Sequence, residues 1–98
     1  MAVKVLIKRN FKNGKLNEAS KLLIKARYDA MGQQGYISSE TLTDCDDPNN
    51  VVVISMWKKI ENWNQWKGTD LRSESEAGFE ALLDGPTKYE YYNLGLVL

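Results

Sequence analysis

The stretch VVVISMWKKIENWNQWKG, residues 51 to 68, contains the change of periodicity that decides the fold. Its opening VVVISMW is mostly β-branched or apolar on both alternating faces, which predicts a central strand covered on both sides. From Ile60 onward the large apolar side chains recur three residues apart, so Ile60, Trp63 and Trp66 share one face of a short helix. Gly68 breaks that pattern. The stretch therefore predicts a central strand followed by an amphipathic helix seated on the sheet.

The rest of the chain divides into segments of strand-like and helix-like periodicity. Strand-like patterns cover three segments, at residues 2–9, 36–43 and 88–98. Helical spacing runs from Leu16 to Ala30 and again, after the break at Gly68, to Asp84. Ser73 and Glu76 have the spacing of a capping box, which predicts that the last helix starts near Ser73.

The resulting order, βαββαβ, predicts a single ferredoxin-like α+β sandwich domain over residues 1–98. Right-handed crossovers place the helices on one face of a four-stranded antiparallel sheet. The other face is left bare, although the third and last strands are apolar on both sides. An apolar face of several hundred Å² is unusual on a monomer. The sequence therefore predicts a homodimer that packs the two open sheet faces together.

Charge and cysteine content exclude several classes of protein. Thirteen basic and thirteen acidic residues cancel, which argues against a nucleic-acid or anionic-membrane partner. RNA-recognition modules share the βαββαβ order, but the third strand here lacks their aromatic motif. No apolar run approaches the roughly 20 residues that span a membrane. The one cysteine, Cys45, allows no internal disulfide, so we expect a cytoplasmic protein.

The absence of histidine limits the available chemistry. It excludes a Ser-His or Cys-His nucleophile pair, a His zinc site and His-ligated haem. Acid–base chemistry must use Asp, Glu, Lys or Tyr. The aspartates around Cys45 lack the spacing of a calcium loop and disfavour a thiolate nucleophile. We therefore expect no metal and no other cofactor.

A family resemblance rests on the strand that ends at Trp57, the helix IENWNQW, a second helix with Phe79, and a Tyr-rich last strand. Together these segments resemble the antibiotic biosynthesis monooxygenase family, whose members are small dimeric α/β-barrel proteins. The resemblance covers nearly the whole chain and implies the same dimeric barrel here.

The resemblance implies one of two chemistries. A haem-degrading branch uses an Asn, a Trp and a His, which correspond by spacing to Ile7, Trp66 and Glu76. Only Trp66 matches, and the missing His disfavours haem degradation. The other branch oxidises polycyclic aromatic phenols with O₂ and without metal or flavin, in an apolar aromatic cleft. The resemblance therefore implies a cofactor-independent monooxygenase for a small or polycyclic phenol, with a non-catalytic dimeric module for a small hydrophobic ligand as the alternative.

The candidate substrate-binding residues lie on the short helix and at the end of the first strand. Trp66 is expected to line a cleft, whereas Trp63 is interpreted first as core and second as part of that cleft. Asn62 and Asn64 are candidate donors to an oxyanion. Arg9 is a candidate partner for an anionic substrate, although a salt bridge at the rim or a solvated charge is the simpler interpretation.

Three further interpretations concern residues near these candidates. Trp57 is expected to be structural, and Glu76 is explained as a helix cap. Tyr28, Tyr89 and Tyr91 are possible phenol donors that strand packing also explains. No catalytic residue is identified from the sequence.

Overall fold

The computed structural model describes residues 1–98 as four strands and three helices. In chain order they are β1 (Val3–Asn10), α1 (Leu16–Met31), β2 (Tyr36–Thr43), β3 (Asn50–Trp57), α2 (Ile60–Lys67), α3 (Asp70–Glu80) and β4 (Lys88–Asn93). No helix among them has the length and apolar character needed to cross a membrane.

The strands form one sheet in the order β2-β3-β1-β4, with every neighbouring pair antiparallel. β3 and β1 occupy the centre and pair along their full length, from Val3 opposite Trp57 to Asn10 opposite Asn50. This arrangement confirms the predicted ferredoxin-like fold with a central third strand. The sheet of one chain stays open, so a closed barrel requires a second copy.

Three predicted boundaries are wrong. α3 begins at Asp70 because the Thr69 hydroxyl accepts the backbone N–H of Arg72 at 3.2 Å, so Thr69 and not Ser73 caps the helix. The same helix ends at Glu80 and not at Asp84. β4 ends at Asn93 because its partner on β1, Val3, is the first residue of that strand. The last five residues, 94–98, are exposed.

The helix-facing side of the sheet carries two separate apolar clusters. The first combines the start of β1 with all three tryptophans: Val3, Val5, Ile7, Trp57, Trp63 and Trp66. The second lies toward the other end of β1 and contains Phe11, Ala19, Val51, Phe79 and Leu82. Along β1 the inward positions are 3, 5, 7 and 9, and Arg9 stands between the two clusters. A buried charge therefore divides the core.

The turn before β2 is held against α2 by a glycine. Gly35 has a φ of +83°, a backbone conformation that side-chain-bearing residues rarely adopt. A Cβ at this position would lie 2.2 Å from the Asn62 side-chain carbon Cγ. Asn62 therefore packs directly over the Gly35 backbone.

We predict that Gly35→Ala lowers the free energy of unfolding by more than Gly14→Ala does. Gly14 also has a positive φ, +79°, but a Cβ added there would meet no other atom within 4 Å. Both changes incur the left-handed backbone cost of about 1–2 kcal/mol, and only Gly35→Ala adds the overlap with Asn62. Urea unfolding followed by tryptophan fluorescence measures both. Equal losses would contradict the close packing of Asn62 on the turn.

Candidate functional site

A cavity, hereafter the recess, lies between α1 and the helix-facing side of the sheet, and residues of α2 and α3 complete its walls. The volume that the centres of water molecules can occupy in it is about 50 Å³. All of its empty space, with the open solvent at its mouth included, amounts to about 500 Å³. Its apolar and aromatic walls are Ile7, Leu23, Ala26, Ala30, Tyr36, Val53, Trp57 and Trp66. Its polar walls are Arg9, Arg27, Ser39, Thr41, Ser55, Arg72 and Glu76.

Two buried guanidinium groups share one carboxylate in the wall of the recess. Arg9 Nη2 donates to Glu76 Oε1 at 2.5 Å, and Arg72 Nη1 lies 3.0 Å from the same oxygen. Arg72 Nη2 also donates to the hydroxyl of Tyr89 at 3.0 Å. The Arg9 and Arg72 side chains are 4% and 7% exposed, and Glu76 is 21% exposed. The three charges therefore interact largely out of water, where electrostatic forces are strongest.

Arg9 is buried because β1 alternates. Positions 3, 5, 7 and 9 all face the helices, so the backbone carries Arg9 inward with its apolar neighbours. Its guanidinium carbon lies 4.2 Å from the ring centroid of Phe79, a cation–π contact. Burial lowers the pKa of Arg9, and the opposing attraction of Glu76 raises it only in part. The predicted salt bridge of Arg9 is present, but its placement at the rim and the alternative of a solvated charge are wrong, because the side chain is buried.

The Nε–H of Arg9 is buried and has no hydrogen-bond acceptor. A buried donor without a partner costs about 1–3 kcal/mol, so such a group is rare in a folded protein. The indole N–H of Trp63 is the second buried side-chain donor without an acceptor. It differs from Arg9 in that Trp63 is absent from the walls of the recess.

All three tryptophans lie in the first core cluster, and two of them also line the recess. Trp66, 4% exposed, lines the recess as expected, but it is also part of the first core cluster. Trp57 is core as expected, and it lines the recess as well, with its indole N–H donating to Ser55 Oγ at 3.1 Å. Trp63 packs edge-on to Trp57 at 6.0 Å and against Tyr89. Trp63 is therefore a core residue and does not line the recess.

The remaining candidates lie apart from the recess. Asn64 is exposed, and Asn62 packs on Gly35 and lines a separate, mostly polar depression. Neither amide lines the recess. Tyr28 is 76% exposed, and Tyr91 stacks on Tyr89 at 6.5 Å. Tyr89 contacts the charged cluster through Arg72, from which its hydroxyl accepts a hydrogen bond.

Sequence reasoning missed Arg72 and misassigned Glu76. The explanation of Glu76 as a cap is wrong, because its carboxylate pairs with Arg9 and Arg72. Two signals were available in the sequence. Arg9 occupies an inward position of an alternating strand, which demands a buried counter-charge. Arg72 and Glu76 are four residues apart on one helix, so they share a face.

Comparison with known proteins gives the family. The model of the antibiotic biosynthesis monooxygenase family matches residues 2–75. The chain belongs to this family. No curated protein matches the sequence.

Solved structures of this family's fold resemble the chain over nearly its whole length. A conserved protein from Methanosarcina mazei Go1 has a TM-score of 0.87 at 21% identity, covering 94% of this chain and 91% of its own. Rv0793 from Mycobacterium tuberculosis has a TM-score of 0.84 at 14% identity, covering 95% and 94%. SnoaB, a cofactor-independent oxygenase from Streptomyces nogalater, has a TM-score of 0.86 at 14% identity, covering 99% and 96%. At these identities the likeness establishes the fold.

The positions that correspond to the haem-degrading branch of the antibiotic biosynthesis monooxygenase family converge in this chain. Ile7, Trp66 and Glu76 all line the recess, although they lie on β1, α2 and α3. Where that branch has a histidine, this chain has a carboxylate held by two guanidinium groups. No three side chains of the types His, Cys, Asp and Glu are grouped so that they could hold a metal ion.

We predict that Glu76→Ala lowers the free energy of unfolding by about 3 kcal/mol. The change leaves Arg9 and Arg72 buried without their shared counter-charge, and breaking a buried ion pair from one side has this order of cost. Glu74→Ala on the exposed side of α3 is the matched control, expected to stay within about 0.5 kcal/mol of the parent. Urea unfolding compares the two. A similar small loss for both would show that Glu76 does not hold the cluster together.

Proposed function

We propose that this protein is a cofactor-independent oxygenase that binds a small aromatic phenol in the recess. The observation that carries the proposal is that Trp57, Trp66 and Tyr36 wall a recess that is also lined by two buried guanidinium groups. Membership of the antibiotic biosynthesis monooxygenase family supports it. The fold shared with SnoaB, itself a cofactor-independent oxygenase, adds further support.

The reaction requires only the substrate and O₂. A phenol that loses its proton becomes electron-rich at the ring carbon opposite the oxygen. Electron transfer from this anion to O₂ and recombination at that carbon give a hydroperoxide, which loses water to leave a carbonyl. The product is a quinone, whose second carbonyl oxygen comes from O₂, and the other oxygen atom of O₂ leaves as water. The phenol loses four electrons and O₂ gains four, so the reaction balances. The protein's contribution is to stabilise the anion, orient the ring and exclude bulk water.

The size of the recess favours a single-ring substrate. The space inside the recess is about 50 Å³, well below the roughly 300–1,000 Å³ of common small-molecule sites, so a bound ring has to be small and lie partly in the open mouth. A polycyclic phenol would have to separate α1 from β2. We therefore place single-ring phenols first and polycyclic phenols second.

One observation favours the alternative of a non-catalytic ligand-binding module. The only carboxylate on the walls of the recess is Glu76, and both of its neighbours there are guanidinium groups. The ion pairs with Arg9 and Arg72 already engage this carboxylate, so the walls of the recess offer no unpaired carboxylate to act as a general base. A module that binds an aromatic ligand without reacting needs no base.

We predict that the protein consumes O₂ when it is mixed with an electron-rich single-ring phenol such as 2,6-dimethoxyphenol, faster than the phenol autoxidises alone. An oxygen electrode measures the rate, and 1-naphthol tests the polycyclic class. Trp66→Phe keeps an aromatic wall and should retain most of the activity, whereas Trp66→Leu removes ring stacking worth about 0.5–1.5 kcal/mol and should lower it several-fold. Saturable quenching of tryptophan fluorescence without any O₂ uptake would favour the binding module.

We also propose that two copies pack through the open face of the sheet. The apolar side chains on this face are Leu6, Leu42, Val52, Ile54, Met56 and Tyr92. Leu42 and Tyr92 are 44% and 53% exposed in the single chain. The dimeric character of the family supports the proposal. A second sheet laid across these residues would complete a barrel.

We predict that sedimentation at micromolar concentration gives twice the mass of one chain. A specific interface is expected to bury roughly 1,200 Å² or more in total. Ile54→Lys places a charge at the centre of the face and should convert the protein into monomers, because an unpaired buried charge opposes association. Lys21→Glu, on the exposed surface of α1, is the control and should leave the mass unchanged. A parent protein that sediments as a monomer would overturn the proposal.

A further inference from the structure

A series of four aromatic rings leads from the wall of the recess to the protein surface. Trp57 lines the recess and packs edge-on against Trp63, with ring centroids 6.0 Å apart. Trp63 packs against Tyr89 at 6.0 Å, and Tyr89 stacks on Tyr91 at 6.5 Å with an interplanar angle of 9°. Trp57 and Trp63 are buried, whereas Tyr91 is 47% exposed. These four residues, hereafter the ring series, therefore connect the candidate site with solvent.

The chemical order of the ring series gives it a direction. Tryptophan and tyrosine lose one electron far more readily than phenylalanine does, and rings in contact exchange electrons quickly. Two indoles come first along the series, and two phenols follow. A phenol releases its proton when it is oxidised, so at neutral pH its radical forms more readily than the radical cation of an indole. An electron vacancy created on Trp57 is therefore expected to move toward Tyr91.

The surroundings of Trp63 and Tyr89 favour passage of the vacancy. The buried indole N–H of Trp63 has no acceptor, so an oxidised Trp63 keeps its proton and stays a radical cation, which takes an electron from a neighbouring phenol more readily than the deprotonated radical does. The Arg72 guanidinium lies 5.5 Å from the ring centroid of Trp63, and Lys67 Nζ lies 4.4 Å from that of Tyr89. Both cations oppose a positive charge that remains on these rings. At the exposed Tyr91 the proton passes to water, so the radical there is neutral.

We propose that the ring series carries oxidising equivalents out of the recess to Tyr91, where a reductant in solution removes them. The oxidants are the alkoxyl and hydroxyl radicals that form when the O–O bond of a hydroperoxide in the recess breaks homolytically. Each radical takes one electron from Trp57 and one proton from water, and becomes an alcohol or water. Tyr91 releases one proton to solvent, and its radical then takes a hydrogen atom from a thiol or ascorbate. Each radical in the recess is thus exchanged for one radical of the solution reductant, so electrons and protons balance.

This path would protect the walls of the recess. A radical that stays there attacks the nearest side chain, and Trp66 also lines the recess but does not belong to the ring series. Oxidation of such a ring ends in a permanent product, whereas loss of an electron through Trp57 is reversible. The proposal rests on the proposed function for the origin of the hydroperoxide. Electron transfer along the ring series itself can be measured without that reaction.

The first experiment creates the vacancy on tryptophan with light. An ultraviolet flash at the long-wavelength edge of the indole absorption ejects an electron from tryptophan, and dissolved O₂ captures it. Tryptophan and tyrosine radicals absorb at different wavelengths, so transient absorption follows both. We expect the tyrosyl signal to rise as the tryptophan signal falls, at a rate independent of protein concentration. A missing tyrosyl signal, or a rate proportional to protein concentration, would overturn the proposal.

The second experiment locates the radical, because Tyr36 also contacts Trp57, with ring centroids 5.5 Å apart. A nitroso spin trap that is present during the flash forms a covalent adduct with tyrosyl radicals, and peptide mass spectrometry identifies the labelled residue. Exposure alone favours Tyr28, which is 76% exposed, over Tyr91 at 47%. We expect several-fold more adduct on Tyr91 than on Tyr28 in the parent protein. The reverse order, or adduct mainly on Tyr36, would contradict the path.

Variants then test the route. Trp63→Phe keeps an aromatic ring in the core and removes no hydrogen bond, because the indole N–H has no acceptor. It interrupts the ring series and should abolish most of the adduct on Tyr91 per tryptophan radical formed. Trp66→Phe replaces another buried tryptophan, outside the ring series, and should leave that ratio unchanged. Equal losses in the two variants would overturn the route through Trp63. Should Trp63→Phe not fold, the labelling of the parent protein still decides the end point.

The outcomes separate this proposal from the proposed function. Radical transfer to Tyr91 after the flash, without O₂ uptake in the presence of phenols, supports the path and contradicts the oxygenase. O₂ uptake with no adduct on Tyr91 supports the oxygenase and overturns the path. Where both are observed, Trp63→Phe should start at the parent's rate of O₂ uptake, because Trp63 does not line the recess, and should then lose activity several-fold sooner. Inactivation as slow as the parent's would overturn the protective role.

Discussion

The carboxylate of Glu76, shared by Arg9 and Arg72, is the interaction on which the arrangement of the helices over the sheet depends. It joins an inward position of β1 to two successive turns of α3. Because a buried guanidinium without a counter-charge is costly, α3 has to lie where Glu76 reaches Arg9. The same charges interrupt the apolar packing along β1 and separate the core into two clusters. The recess lies beside this interruption.

The aromatic rings around the recess both stabilise the fold and form the walls of the recess, so truncating one of these side chains affects both roles. Tyr36, Trp57, Trp63, Tyr89 and Tyr91 form a continuous series of aromatic contacts across the helix-facing side, with successive centroids 5.5–6.5 Å apart. Trp57 and Trp66 belong both to this packed side and to the walls of the recess. A rigid, well-packed wall is what positions a flat ligand. It also means that removing a ring disturbs stability and binding together, so conservative changes are more informative.

The site and the family membership point to chemistry in which the protein supplies an environment more than a reactive side chain. The recess offers aromatic walls, an excess of buried positive charge and a carboxylate that is already paired. In the proposed reaction, such an environment would stabilise the ionised phenol, which is the form that reacts with O₂. Charge placed in a low-dielectric site acts more strongly than the same charge at the surface. A neutral chain can therefore present a strongly cationic site.

The sequence by itself determined the order of the elements, the central position of β3, the ferredoxin-like topology and the resemblance to the family. These depend on periodicity, which is local: the alternation of residues 2–9 and the three-residue spacing of Trp63 and Trp66 are visible without a structure. Element ends were less predictable, because Thr69 and Ser73 are both acceptable caps and only the packing of α3 selects between them.

Only the tertiary structure decided which residues form the site. Arg9 and Glu76 are 67 residues apart in the chain, and their pairing depends on how α3 crosses the sheet. Asn62 and Asn64 lie beside Trp63 in sequence, yet a helix directs neighbouring residues to different faces, so both amides point away from the recess. Net charge gave no sign of a cationic site, because it adds charges without regard to place. Local patterns specify the fold, whereas the chemistry of the recess arises from contacts between distant parts of the chain.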